Sequence, residues 1–308
     1  MPSRAVTGLV LVVVVGVGWG LLAPASKVLF ASPGFDGLSL AVARAAWALP
    51  IYLLALSVTW RLDPPRLDAG RWAAVIAAGL IFGLLITTLF SVASAHTSVA
   101  HISFLVGMSP VTNTAAAAVV FRIALGRREW TALVLGIVGV ALLALTHAND
   151  RAGIFGDALM VAWLACFAAY ACALRYVGAR VSTRLLMSMM GVVAMGSLLI
   201  AGALAGAGGA IAHVADSAPV AWWFFGEVVL GSMIVGQTAF AAAIRRMGVA
   251  TATIGAEYTA LAVGVIASLG AHERWTPLTV VAGAIFCCAL AATFAPIPWL
   301  TATERRAA

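Results

Sequence analysis

Charged residues are scarce in this sequence. Only 9% of its 308 residues are Asp, Glu, Lys or Arg, whereas 63% are apolar. An ordinary soluble domain has roughly 25% charged residues. The length alone would predict about two domains of ~150 residues, but so few charges cannot cover the surfaces of two water-soluble domains. The shortage of charge therefore excludes a soluble protein and predicts an all-α polytopic membrane protein.

Further function classes are excluded by what is missing. Four cysteines are too few for a secreted disulfide scaffold of this length. The net charge of +7 is not gathered into basic clusters with interleaved aromatic residues, so we expect no nucleic-acid partner. No acidic or cysteine ligand completes a metal-binding pattern around His96 and His101. We therefore expect no metal, no cofactor and no enzyme active site.

Ten apolar stretches are long enough to cross a hydrocarbon core of ~30 Å, which requires about 20 helical residues. They cover approximately residues 6–30, 38–60, 72–91, 97–121, 130–147, 153–176, 184–206, 220–244, 248–270 and 275–296. If the N-terminus is cytoplasmic, all arginines in the connections fall on the cytoplasmic side except Arg151 and Arg274. Such an excess is typical of the cytoplasmic face of a membrane protein. The sequence thus predicts ten transmembrane helices with both termini in the cytoplasm.

The two halves of the chain carry a weak internal repeat. A Leu-Gly pair followed three residues later by glutamate occurs twice, ending at Glu129 and at Glu273. Because each half would contain five helices, an odd number, the two copies must cross the membrane in opposite directions. We therefore predict a 5+5 inverted repeat, with one unit over residues 1–149 and the second over residues 150–308. Transporters built in this way bind their solute between the repeats, near the membrane midplane.

Several short motifs lie within or at the ends of the predicted spans: Trp19-Gly20, Lys27, Arg44, Ser109-Pro110-Val111, Gly156-Asp157 and the two Leu-Gly-x-x-Glu segments. Together, in a ten-span chain, they resemble the drug/metabolite transporter superfamily of EamA type. The resemblance implies efflux of small metabolites or drugs across the bacterial inner membrane without ATP. Residues 167–172 and 255–260 are similar to the YddG-like amino-acid exporter branch of that superfamily.

Four charged residues lie within predicted spans, where a charge costs a few kcal/mol on insertion scales: Lys27, Arg44, Glu227 and Glu257. Lys27 is near a span end, and Arg44 and Glu227 are each only about two turns into their spans. Glu257 is near the middle of the ninth span, too far from either interface to reach water. It is a candidate for proton coupling or for binding a substrate amine; the alternative is a structural ion pair with Arg44 or with another helix. Arg44 in the second span is a candidate for such an ion pair, or for attracting an anionic substrate group.

A transporter of amphipathic solutes needs a cavity with apolar walls and a few polar groups. Trp163 and Tyr170 are seven residues apart and share one helix face, so we expect both to line this cavity, with Trp163 the first candidate. Further candidate substrate-binding residues are Tyr258, Glu257, Gln237, Trp19 and His101. The alternative for the aromatic residues is packing between helices. Pro110 interrupts the fourth predicted span and is a candidate hinge.

The sequence thus predicts a secondary transporter that exports small amphipathic metabolites, amino acids first, by alternating access between the two repeats. The alternatives are proton-coupled drug or multidrug efflux and metabolite uptake; a membrane-embedded enzyme or a channel is more remote. The expected partners are a small-molecule substrate and the lipid bilayer of the bacterial inner membrane. The sequence indicates no oligomeric state and is compatible with a monomer.

Overall fold

The computed structural model describes residues 4–32, 34–122, 124–147, 150–178, 181–209, 219–247 and 249–294, and these residues contain helices but no strands. The helices are, in chain order, α1 (Arg4–Phe30), α2 (Gly37–Leu62), α3 (Ala69–Leu80), a first π-helix (Ile81–Thr87), α4 (Thr88–His96), α5 (Val99–Val106), α6 (Ser109–Phe121), α7 (Arg127–Thr146), α8 (Arg151–Gly178), α9 (Thr183–Leu204), a short 3-10 helix (Ala207–Gly209), α10 (Pro219–Gly226), a second π-helix (Glu227–Gly236), α11 (Gln237–Met247), α12 (Val249–Gly270) and α13 (Pro277–Phe294).

Nine helical stretches of the described residues are long and apolar enough to cross a membrane, and α13 is a tenth apolar helix of shorter length. The third of these stretches joins α3, the first π-helix and α4; the fourth joins α5 and α6; the eighth contains α10, the second π-helix and α11. The chain is therefore a multi-pass membrane protein, as predicted. Residues 295–308, which include the predicted cytoplasmic C-terminus, lie outside the described residues.

Short polar side chains determine where several helices begin. Asp36 and Ser39 form a capping box at the start of α2, in which each side chain accepts a hydrogen bond from the backbone N–H of the other residue, both at 2.7 Å. Asp68 accepts from the backbone N–H of Arg71 at the start of α3 (2.9 Å), and this hydrogen bond lowers the pKa of the Asp68 carboxyl. These caps fix the residues at which α2 and α3 begin.

The start of α5 is capped by a residue from the other half of the chain. The Glu273 carboxylate accepts hydrogen bonds from the backbone N–H groups of Val99 (2.8 Å) and Ala100 (3.1 Å). The Ser98 hydroxyl accepts from the N–H of His101 at 3.2 Å. A carboxylate at a helix N-terminus satisfies unpaired donors and interacts favourably with the helix dipole. Glu273 of the second Leu-Gly-x-x-Glu motif therefore has a structural role: it links the connection between α12 and α13 to the fourth stretch.

The principal helix pairs follow a regular pattern across the two halves. Helix α1 packs against the eighth and ninth stretches, and α8 packs in the same way against the third and fourth. Helix α2 packs against α9, and α7 packs against α13. The first five stretches correspond in order to the last five, with α13 counted as the tenth. Replacing each stretch by its counterpart gives the same set of pairs. Both π-helices also lie at matching positions, in the third and eighth stretches.

Close contact between the third stretch and α9 depends on Gly83 in the first π-helix. A Cβ atom added at Gly83 would overlap the backbone carbonyl of Ala194, and backbone cannot move aside as a flexible side chain can. By contrast, a Cβ added at Gly196, two residues further along α9, meets no atom within 4 Å. Small residues allow helices to approach closely in membranes, where packing supplies much of the association energy.

We predict that Gly83→Ala destabilises the protein by about 1–3 kcal/mol, the usual cost of forcing an extra group into a packed interior. Gly196→Ala is the matched control and should be neutral or slightly stabilising, because alanine is the better helix former. The measurement is the apparent melting temperature of each purified variant in detergent. Equal melting temperatures for the two variants would contradict the close contact at Gly83.

Candidate functional site

A cavity opens between helices of the two halves of the chain. The space between its lining atoms is about 570 Å³, a figure that includes open solvent at its mouth. Its aromatic wall consists of Trp19, Phe82, Phe90, Trp163 and Phe167. Its polar lining consists of Arg44, Thr87, Ser232 and Gln237. Apolar walls with a few polar groups suit an amphipathic solute.

Both π-helices contribute to the wall of this cavity. Phe82, Ile86 and Thr87 come from the first, and Ser232 and Met233 from the second. A π-helix adds a residue to a turn and frequently occurs at functional sites. Neither π-helix was predicted from the sequence, because apolar periodicity does not distinguish a widened turn from an ordinary one. The glycines within them are only a weak signal.

The widened turns leave backbone carbonyls that side chains satisfy. The Tyr52 hydroxyl donates to the carbonyl of Met233 at 2.9 Å, and the Trp19 indole N–H donates to the carbonyl of Ser232 at 3.3 Å. In the first π-helix the Thr87 hydroxyl donates to the carbonyl of Phe82 at 2.9 Å. Trp19, a candidate binding residue from the sequence, is among the cavity-lining residues and also holds the second π-helix in place.

Trp163 and Tyr170 belong to one aromatic stack on α8, but only Trp163 lines the cavity. The Trp163 ring stacks on Phe167 with centroids 4.9 Å apart and planes at 10°. Tyr170 is buried beyond Phe167 and stacks on Phe82 at 5.4 Å. The shared helix face was predicted correctly, but Tyr170 lies behind the cavity wall. Trp163 is 7% exposed, and its indole N–H has no hydrogen-bond partner among the described residues.

Arg44 is the one charged residue among the cavity-lining residues that the structure describes. It is buried, and one terminal guanidinium N–H group donates to the Ser91 hydroxyl at 3.2 Å. The Nε–H group of Arg44 has no acceptor in the described part of the chain. Gln237, another candidate from sequence, also lines the cavity. The polar lining is thus positively charged and has unused hydrogen-bond donors.

Glu257 is buried at 1% exposure but does not line the cavity. Its carboxyl group lies beside the Ser109 hydroxyl, and neither carboxyl oxygen has a hydrogen-bond partner among the described residues. The described residues contain no ion pair between Glu257 and Arg44: the Arg44 guanidinium donates to Ser91, whereas the Glu257 carboxyl lies beside Ser109 of the fourth stretch. Tyr258, its neighbour, is partly buried and lies outside the cavity lining.

The helix of the fourth stretch is broken next to Glu257. Helix α5 ends at Val106 and α6 begins at Ser109, with Pro110 in its first turn, where proline needs no hydrogen-bonded N–H. The break therefore lies at residues 107–108, directly before the predicted position, and Pro110 stands in the first turn of the helix that follows. The break at residues 107–108 is buried, the condition under which irregular backbone is tolerated at membrane depth. A hinge motion at this break stays a prediction.

His101 does not reach the cavity but joins a separate polar cluster. Its Nδ1 lies 2.9 Å from Oδ2 and 3.2 Å from Oδ1 of Asp157. His147 stacks on His101 with centroids 4.3 Å apart, and its Nδ1 is 3.3 Å from Asp157 Oδ2. The sequence analysis missed this group, because its members come from α5, the end of α7 and α8 and are brought together only by packing.

Comparison with known proteins gives one family match and a structural likeness. No curated protein sequence matches the chain. One solved structure, described only as the crystal structure of a protein, covers 95% of this chain and 97% of its own with a TM-score of 0.58. The two sequences are 15% identical, so this likeness shows the fold alone. Residues 6–145 match the EamA-like transporter family.

Proposed function

We propose that this protein is a secondary transporter of the EamA type, within the drug/metabolite transporter superfamily. It exports small amphipathic solutes that carry a carboxylate, amino acids first among them, across the bacterial inner membrane. The observation that carries the proposal is the aromatic cavity with Arg44 as its one charged lining residue in the described chain. The family match over residues 6–145 supports a transporter rather than an enzyme.

The mechanism we propose is alternating access between two inverted five-helix units, residues 1–149 and 150–308, with both termini in the cytoplasm. The helix pairs and the two π-helices keep their positions when the halves are exchanged, which supports a repeat of this kind. Rocking of such units opens a central site to each side in turn. The end of the bundle that carries Glu273 and the start of α5 would then face outward.

The polar groups of the cavity favour a solute with acceptor oxygens. Arg44 and Trp163 each have a buried N–H group without an acceptor among the described residues, and both residues line the cavity. Leaving such a donor unpaired costs roughly 1–3 kcal/mol, so a carboxylate that accepts from them would gain that energy on binding. The aromatic walls would hold an apolar side chain beside the carboxylate. Cationic drugs, by contrast, would meet the Arg44 charge.

A second candidate, proton-coupled transport, is favoured by the surroundings of Glu257. A carboxylate charge at this buried position has no partner among the described residues and is therefore costly. Protonation of the carboxyl group removes that charge. The group also faces the broken helix of the fourth stretch, and discontinuous helices often carry coupling sites in transporters. Glu257 would therefore bind and release a proton as that stretch moves, at a distance from the solute in the cavity.

We predict that Trp163→Ala lowers amino-acid flux in proteoliposomes roughly tenfold or more, because it removes the central ring of the aromatic wall. Trp47→Ala is the matched control: Trp47 is another tryptophan within a span, but it is 44% exposed and contacts Trp222 and Phe225. The folded yield of both variants should be similar. Unchanged flux in the Trp163 variant would remove this ring from the site.

We predict that Arg44→Gln lowers the flux of carboxylate-bearing solutes roughly 30-fold, since a lost partner for a buried charge costs at least about 2 kcal/mol. Arg44→Lys keeps the charge and should retain part of the activity. The assay compares a panel of amino acids with a cationic drug on the same proteoliposomes. Drug flux without amino-acid flux in the wild type would overturn the carboxylate proposal in favour of drug efflux.

For coupling, we predict that Glu257→Gln abolishes the response of flux to an imposed pH gradient while solute exchange without a gradient continues. The protein should still fold, because neither carboxyl oxygen loses a hydrogen bond within the described chain. Glu129→Gln, which changes a carboxyl in the first turn of α7 and outside the cavity lining, is the control and should keep the response. A gradient response that persists in the Glu257 variant would exclude this residue from coupling.

A further inference from the structure

We propose that His101, His147 and Asp157 form a binding site for a divalent transition-metal ion of the zinc class. The three residues lie where α5, the end of α7 and α8 meet, and none of them lines the cavity. One ligand atom from each residue lies within 4.8 Å of the others. Two imidazoles and a carboxylate are a donor set that zinc uses in proteins, with a water or another group in the fourth position.

Two distances between the ligand atoms are near the value for a tetrahedral ion, and the whole set lies within 4.8 Å. Bonds of 2.0–2.1 Å at tetrahedral angles place two ligand atoms about 3.3 Å apart. Asp157 Oδ2 is 2.9 Å from the Nδ1 of His101 and 3.3 Å from the Nδ1 of His147. The Nδ1 of His147 is buried and makes no hydrogen bond among the described residues, so it can coordinate an ion in the tautomer that carries the proton on Nε2. The two imidazole rings are stacked with their planes at 24°, so they would have to rotate out of this stack to direct both Nδ1 atoms at one ion.

Neighbouring hydroxyl groups supply the outer contacts that orient metal ligands. The Thr146 hydroxyl lies 3.2 Å from Nε2 of His101, the ring nitrogen opposite the ligand atom. The Thr97 hydroxyl donates to Oδ1 of Asp157 at 2.6 Å, which leaves Oδ2 for the ion. Partners of this kind set the tautomer of a histidine and the orientation of a carboxylate, and they contribute strongly to metal affinity. Both are already in place here.

The site would tie together elements that meet at one end of the bundle. His101 and Asp157 are buried, whereas the side chain of His147 is 18% exposed and leaves a path for an ion to enter. Because His147 and Asp157 lie on either side of the connection between α7 and α8, a bound ion would hold that connection against the start of α5. Metal binding is therefore expected to stabilise the protein, independently of whether it transports amino acids.

The direct test is titration of the purified, chelator-treated full-length protein with Co²⁺, whose visible absorption reports ligand type and geometry. We expect tetrahedral bands with nitrogen and oxygen ligands, which Zn²⁺ abolishes by displacement. Asp157→Asn and His147→Ala should each weaken Co²⁺ affinity on the order of 100-fold. His96→Ala is the matched control, since His96 is an exposed histidine whose ring packs against Phe155, and its variant should bind as the wild type does.

A second readout is the melting temperature with and without Zn²⁺. Zinc should raise it in the wild type and in the His96 variant but not in the other two. If one variant fails to fold, the remaining variant and the wild-type spectrum still show whether these residues bind the metal ion. Absence of cobalt absorption, absorption with the intense bands of cysteine thiolate ligands, or binding that neither substitution weakens would each overturn the site and leave a hydrogen-bonded Asp–His cluster without metal.

Discussion

The architecture depends on one constraint: a chain in lipid must satisfy its own backbone hydrogen bonds. Regular helices do so for most of the described residues, and each departure has a specific compensation. The break at residues 107–108 is buried. The start of α5 receives the Glu273 carboxylate from the opposite half of the chain. The second π-helix directs carbonyls at the side chains of Tyr52 and Trp19. The contacts of Glu273, Tyr52 and Trp19 also join the two halves, because each of these side chains bonds to a backbone group in the other half of the sequence.

These departures from regular helix also shape the cavity. The two π-helices place Phe82, Thr87, Ser232 and Met233 along its walls, and the aromatic stack of α8 closes one side. Gly83 allows the first π-helix to approach α9 directly. A regular α-helix in either position would present different side chains to the cavity. Its carbonyls would accept hydrogen bonds from N–H groups of the same helix. The irregular segments thus serve both packing between helices and the formation of the cavity.

The separation of the polar groups is the main functional information in the tertiary structure. Arg44 lies in the cavity, Glu257 lies beside the broken fourth stretch, and His101 lies with His147 and Asp157. Periodicity correctly placed Trp163 and Tyr170 on one face, but the rings of Phe167 and Phe82 cover Tyr170. One helix face can contain both cavity wall and core, and only the neighbouring helix decides which residue is which.

The sequence by itself determined that this protein lies in a lipid bilayer, and it determined the local structure. Scarce charge and long apolar stretches require lipid, and lipid requires helices, whose approximate bounds follow from hydropathy. Only the tertiary structure decided where a helix widens into a π-helix, that Pro110 begins a helix, and which polar residues meet. The physical reason is the sequence separation of the interacting residues. A helix and its cap depend on residues a few positions apart. The cavity and the cluster of His101, His147 and Asp157 depend on how each helix is rotated and packed against helices from distant parts of the chain.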